Sequence, residues 1–187
     1  MQNIITEVEK YLLDNVPHNW DKDTYLEHID EVRNYATTLA KEHGVDSHVL
    51  DIAALLHDIG YGATPDGKGH ASISSELART FLSKFKISPE NIDLICGAIE
   101  NHSMGSANEN QDVGLIDQIL RDADGIAFLK KNVPYFHKVS LEENGAEVAK
   151  EKTLNKIDGM GAKVKTDLGT KIAEEFFTIA KDWISKK

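Results

Sequence analysis

The chain has a single cysteine, Cys96, so no intrachain disulfide can form, which suits a reducing compartment. It has no apolar run near the ~20 residues needed to span a bilayer. Its first residues, Met1-Gln2-Asn3-Ile4-Ile5-Thr6-Glu7, lack both a basic stretch and an apolar stretch, so no secretory signal is expected. These absences point to a cytoplasmic protein with no membrane partner. No segment alternates with period two, so little or no sheet is expected. Arginine is scarce, at Arg33, Arg79 and Arg121 only, and the formal net charge is −10. So acidic a chain repels polyanions, which disfavours a nucleic-acid polymer as partner. A small phosphorylated substrate requires local cations to offset that field.

What is present is helical periodicity over one domain-sized length of 187 residues, with 41% hydrophobic and 28% charged residues. The spacing predicts helices over about 3–16 (stripe Ile5, Val8, Leu12, Leu13) and 24–43 (Tyr25, Ile29, Val32, Ala36, Leu39, Ala40), the latter ended by Gly44. A third, nearly all apolar, runs from Ser47, its expected N-cap, to Ile59, with Gly60 as its stop. After a glycine-rich loop, 60–69, come helices over about 70–85 (Ile73, Leu77, Phe81, Phe85) and from the cap Ser88 with Pro89 at its first position. A polar loop, 105–111, precedes a helix over about 112–129 with Val113, Ile116, Leu120, Ala123 and Ala127 inside. Residues 138–168 are polar and glycine-punctuated and are expected to form a partly ordered helical excursion or lid. A last amphipathic helix, about 170–184, carries Ile172, Phe176, Ala180 and Trp183.

A few positions break the apolar pattern. His28 shares a face with Tyr25, Ile29 and Val32; His57-Asp58 ends the most apolar helix; His102 follows Ile95 and Ile99; Asp124 shares a face with Ile116, Leu120 and Ala127. A lone buried imidazole is commonly a hydrogen-bonded core residue, and a lone Asp near a helix end is commonly a cap. Two ionised carboxylates in an apolar interior need partners, however, and imidazoles with carboxylates from separate helices suit a divalent zinc, manganese or iron ion. Adjacent helical residues differ by about 100° in direction, so His57 and Asp58 reach one ion most easily at a helix end.

The ordered set His28, His57-Asp58-Ile59-Gly60 and Asp124, with Arg121-Asp122-Ala123-Asp124-Gly125 around the last acid, resembles the HD-domain superfamily of metal-dependent phosphohydrolases over about residues 20–130. Residues 150–187 are similar to the C-terminal extension of one small bacterial branch. The resemblance implies an all-α, HD-domain-like helical bundle with a C-terminal extension from about 131, as a single domain. It implies a metal (Mn, Fe, Zn, Co or Ni) held by His28, His57, Asp58 and Asp124. In two-metal members Asp58 would bridge to a second ion held also by His70 and His102. A one-metal site would leave His70 and His102 near the substrate, as phosphate contacts or proton donors.

The implied function is hydrolysis of a phosphoester or phosphoanhydride of a small molecule, with a nucleotide as the leading class inherited from the resemblance. A divalent cation lowers the pKa of a bound water toward ~7 and neutralises charge on phosphoryl oxygens. Lys68 and Arg121 are candidate phosphate clamps, each with a solvated-surface alternative. The chain departs from the family where a basic residue often stands three positions after the first His. Glu31 stands there, and Arg33 lies about 140° around the helix from His28. A carboxylate used just after the doublet by some one-metal members is replaced by Tyr61 and Gly62.

Gly62 to Lys68 matches the first part of a P-loop, but Gly69 replaces its Ser or Thr and the segment follows a helix. Asn101-His102-Ser103 fits a glycosylation sequon without a secretion signal to give it meaning. Cys96 falls on an apolar face and reads as packing. Two rivals remain at this point: a di-iron oxygenase with the same ligand order, and a non-catalytic metal or nucleotide sensor. The oligomeric state is unassigned.

Overall fold

In the computed structural model, residues 2–64, 67–103 and 113–187 are described, with side chains from Ile4 onward. The helices are α1 Gln2–Asp14, α2 Lys22–His43, α3 Ser47–Leu56, α4 His70–Leu82, α5 Pro89–Asn101, α6 Leu115–Ala127, α7 Val133–Asn144, α8 Ala146–Ala162 and α9 Asp167–Ser185. No strand occurs among the described residues. The expected polar loop 105–111 and the start of the sixth helix at 112 lie outside them.

The caps follow local chemistry. Asp21 accepts from the Thr24 N–H at the start of α2, and Gly44 ends that helix at φ 65°, which a side chain would strain. α5 starts as expected, with Ser88 capping the Asn91 N–H and Pro89 following. α3 is capped by Asp46, not Ser47, and stops at Leu56 rather than Ile59. The chain therefore turns at His57 and Asp58 themselves.

α3 is the buried centre, with Val49, Leu50, Ile52, Ala53, Ala54, Leu55 and Leu56 all inside. It packs on α2 and α5, and α2 packs along α6. Burying side chains such as Leu50, Leu55 and Leu56 contributes about 1.5–3 kcal/mol each. Two expected stripes are corrected. Leu13 and Leu77 are exposed. α4 buries Phe81 as expected, and Leu82, and fills the rest of its inner face with small residues, Ala71, Ser74, Ser75 and Ala78. Ser74 accepts from the Gly60 N–H and Ser75 donates to the Cys96 carbonyl, so both hydroxyls are satisfied.

Beyond Ala127 the ladder widens into a π turn, Phe128–Asn132, that leads into α7. The segment expected to be a partly ordered excursion forms regular helices, α7 and α8. They pack on each other, and α8 and α9 pack on α6. Asp122 closes this end: its carboxylate accepts from the Lys165 and Thr166 N–H groups and from the Thr166 hydroxyl. α8 also approaches α6 very closely at Gly125, where a Cβ would lie 2.8 Å from the Met160 carbonyl oxygen.

Candidate metal centre

His28 faces inward from the middle of α2, and Asp124 faces it from α6. His57 and Asp58 enter from the turn after α3. His70 opens α4, and His102 follows the last residue of α5. All are buried except His70, which is partly exposed. The expected residues therefore converge from five parts of the chain.

The rings are held alike. The Nδ1 atoms of His57, His70 and His102 lie 2.8, 2.7 and 2.5 Å from the carbonyl oxygens of Ala54, Gly67 and Ile99. A carbonyl only accepts, so each Nδ1 carries a hydrogen and the Nε2 of each neutral ring is left with its lone pair. His28 Nδ1 is 3.1 Å from Asn132 Oδ1, which fixes its ring the same way. All these Nε2 atoms face carboxylate oxygens. His28 Nε2 is 3.2 Å from Asp124 Oδ1, and His57 Nε2 is 3.4 Å from Asp58 Oδ2. His70 and His102 Nε2 are 3.1 and 3.3 Å from Asp58 Oδ1, and 3.1 Å from each other.

Such a group of electron pairs is repulsive unless positive charge sits among them. His57 Nε2 and Asp58 Oδ1 are buried and lack a hydrogen-bond partner. Two groups of donors, His28–His57–Asp58 and Asp58–His70–His102, are each compact enough to share one cation. The imidazole and carboxylate donors suit a divalent transition metal, and the orphaned atoms are what such an ion would satisfy.

Burial disfavours the charged form of His57 and pushes its pKa down to about 4, so the ring is neutral, as a ligand must be. Burial opposes ionisation of Asp58, but imidazoles that carry a proton at Nε2 in the metal-free chain outweigh it and hold the carboxyl well below the usual range. Asp124 behaves likewise, with Lys163 as the main opposing influence. His70 is also desolvated, yet Asp58 raises its pKa.

His28, Asp58, His70, His102 and Asp124 line a cleft of about 620 Å³. Trp20 and Tyr61 stack along one side, with centroids 5.3 Å apart and planes 16° from parallel. α8 contributes Lys152 and Lys156 to the lining, and Lys163 follows at its C-terminal end. The Lys163 ammonium pairs with Asp124 Oδ2 and lies 3.4 Å from the His102 carbonyl.

The two clamps expected from sequence are not brought here. Lys68 is exposed outside the cleft lining. Arg121 is buried and donates to the Asn101 carbonyl at 3.0 Å, tying α6 to the end of α5. The residues missed were Asn132 and the α8 lysines. The signal for the latter was the spacing of Lys152, Lys156 and Lys163, which puts them on one helical face. Glu31, where a basic residue often stands, pairs with Lys130 and not with the centre.

The HD domain family model matches residues 25–129. Among characterised proteins, ribonuclease Y of Treponema denticola is 35% identical over 95 residues, spanning 42% of this chain and 19% of its own. The bifunctional uridylyltransferase/uridylyl-removing enzyme of Cupriavidus pinatubonensis is 38% identical over 66 residues, spanning 35% of this chain and 7% of its own. The chain thus spans about a fifth or less of either relative. Among solved structures, one from Lactobacillus plantarum superposes with a TM-score of 0.75 at 18% identity, covering 100% of this chain and 95% of the other. Bacillus subtilis YpgQ in complex with ADP gives 0.70 at 18%, covering 97% and 92%. An uncultured Thermotogales protein described as a predicted HD superfamily hydrolase gives 0.63 at 19%, covering 97% and 89%. At these identities the likeness to the structures is one of fold.

Proposed function

The chain belongs to the HD domain family, and on that premise we propose that it is a metal-dependent phosphohydrolase that cleaves a phosphoester or phosphoanhydride of a small molecule, a nucleotide above all. The observation that carries the reading is the contact of His70 Nε2, His102 Nε2 and Asp58 Oδ1 within 3.3 Å of one another, with both Nδ1 hydrogens committed elsewhere. His28, His57, Asp58 and Asp124 would hold one divalent ion, and Asp58, His70 and His102 a second. When bound, such an ion lowers the pKa of water toward ~7 and offsets charge on phosphoryl oxygens.

The chain's own residues do the rest. Ala54, Ile99, Gly67 and Asn132 fix the imidazole orientations, so the donor set is organised before a ligand arrives. Lys163 balances the Asp124 carboxylate and adds positive charge beside the centre. Trp20 and Tyr61 give the cleft a planar aromatic side on which a flat group can lie. Support for the nucleotide comes from that side and from YpgQ, whose structure contains ADP.

The test is a panel of nucleoside mono-, di- and triphosphates and p-nitrophenyl phosphate, each with Mn²⁺, Co²⁺, Ni²⁺, Zn²⁺ and Mg²⁺, assayed for phosphate and pyrophosphate. Metal-dependent release that is lost in Asp58→Ala is expected. No release from any pair overturns the reading. The division of Asp58 between two donor groups also favours a second reading, a di-iron oxygenase. Two irons per chain with oxygen uptake and no phosphate release would establish that instead.

A further inference from the structure

We propose that Lys156 on α8 is a specificity-determining residue that binds a second anionic group of the substrate, beyond the group held at the metal centre. The inference rests on the phosphohydrolase reading and adds that the substrate carries consecutive or separated anionic groups, such as a chain of phosphoryl groups.

The cleft lysines differ in what they already contact. Lys163 is committed to Asp124. Lys152 donates to Asn144 Oδ1 at 2.9 Å. Lys156 lies between them, and among the described residues it has neither a hydrogen bond nor an ion pair. Its ammonium lies 5.4 Å from the centroid of the Phe128 ring. Glu143 lines the same cleft, but no ion pair joins it to Lys156.

Lys156 is an exposed side chain, and the cleft it is exposed to is the one that holds the centre. The protein packed around the cleft and the nearby charge of Lys163 push its pKa down. Asp124 and Asp58 act on Lys156 only at a distance, so its ammonium is free to make a charge-assisted contact with an anion entering the cleft.

The geometry sets the kind of anion. Lys156 and Lys163 are seven residues apart, about 10 Å along the helix axis. With Lys163 spent on Asp124 beside the centre, a single phosphate there would not span that distance, whereas a longer anionic chain would reach Lys156. The cleft, about 620 Å³, has room for a ligand of that size.

The test is calorimetric binding of inorganic tripolyphosphate and of orthophosphate to the full chain, with Mn²⁺ in excess of either ligand. Wild type is expected to bind tripolyphosphate the more tightly. Lys156→Gln should weaken tripolyphosphate about tenfold or more, the loss of one charge-assisted contact, and orthophosphate severalfold less. Lys156→Arg should restore most of the affinity. Lys152→Gln, which removes an amine already bonded to Asn144, should give a smaller loss of the same kind, and thermal melts check that each variant folds. Unchanged tripolyphosphate binding in Lys156→Gln, equal losses for both ligands, or no tripolyphosphate binding by wild type would overturn the proposal. The phosphohydrolase reading fails separately, if wild type releases no phosphate or pyrophosphate with any metal.

Discussion

Asn132 Oδ1 lies 3.1 Å from His28 Nδ1, a contact between residues 104 positions apart in sequence. The π turn after α6 carries Asn132 into the interior, and its side-chain oxygen sets which nitrogen of His28 faces Asp124. Asn132→Ala should therefore leave the ligands in place but let the ring turn. Outer partners of this kind typically change metal affinity 10–100-fold. Mn²⁺ titration of the variant should give a loss in that range. Wild-type affinity would mean that His28 is held by packing alone.

Metal removal should lower stability. An ion that binds only the folded state, present at a hundred times its dissociation constant, adds about 2.7 kcal/mol. For a chain of this length that is a rise of roughly 5–10 °C in Tm. Melts with Mn²⁺ and with excess chelator should differ by this amount in wild type and by nothing in Asp58→Ala.

Stability of the metal-free chain should also fall with pH in a defined window. His57 takes up a proton near 6.5 when unfolded but only at about 4 when folded, because burial disfavours its charged form. Between those values the unfolded state binds more protons, so stability drops as pH falls from 6.5 toward 4, by about 3 kcal/mol in all. His70 opposes this. Its pKa is raised by Asp58 despite burial, so its contribution is full below pH 6.5 and is lost as pH rises through its folded value. Urea unfolding of metal-free wild type and His57→Asn at pH 4.5 and 7 separates the two. The variant should lose less stability at pH 4.5 than wild type; equal losses would contradict a neutral, buried His57.

Gly125 should resist substitution although it sits inside a helix. Alanine there would gain about 1 kcal/mol of helix propensity on an isolated helix. Its Cβ would stand 2.8 Å from the Met160 carbonyl and 2.9 Å from Val164 Cγ2, both on the segment that delivers Lys163. Overpacking of this sort costs about 1–3 kcal/mol. Gly125→Ala should be less stable in urea and less active, since α8 must move away from the cleft. A variant as stable and active as wild type would show that the close approach of α8 is dispensable.

Much of the site was legible because polar residues at apolar positions are conspicuous. His28, His57, Asp58, His102 and Asp124 each interrupt an apolar pattern, and a buried acid without a partner is too costly to be accidental. Even the end of α3 was read in principle, although it falls at Leu56 and not at Ile59. The extension was less readable. α8 carries lysines on its cleft face and charged residues on its solvent face, so its periodicity is diluted and Lys156 looks like any solvated side chain. Arg121 misled for the opposite reason: nothing in its spacing tells that it is spent on the Asn101 carbonyl. On α4, large apolar letters drew attention to Leu77, whereas close packing selected Ser74 and Ser75, whose hydroxyls are paired inside.

Elemental analysis of protein equilibrated with Mn²⁺ and freed of excess, on wild type and Asp58→Ala with circular dichroism of both, tests the centre most directly. The account predicts at least one ion retained per wild-type chain, none in the variant, and the same helical spectrum for each. A wild-type chain that retains no ion, or a variant that retains as much as wild type, would contradict it.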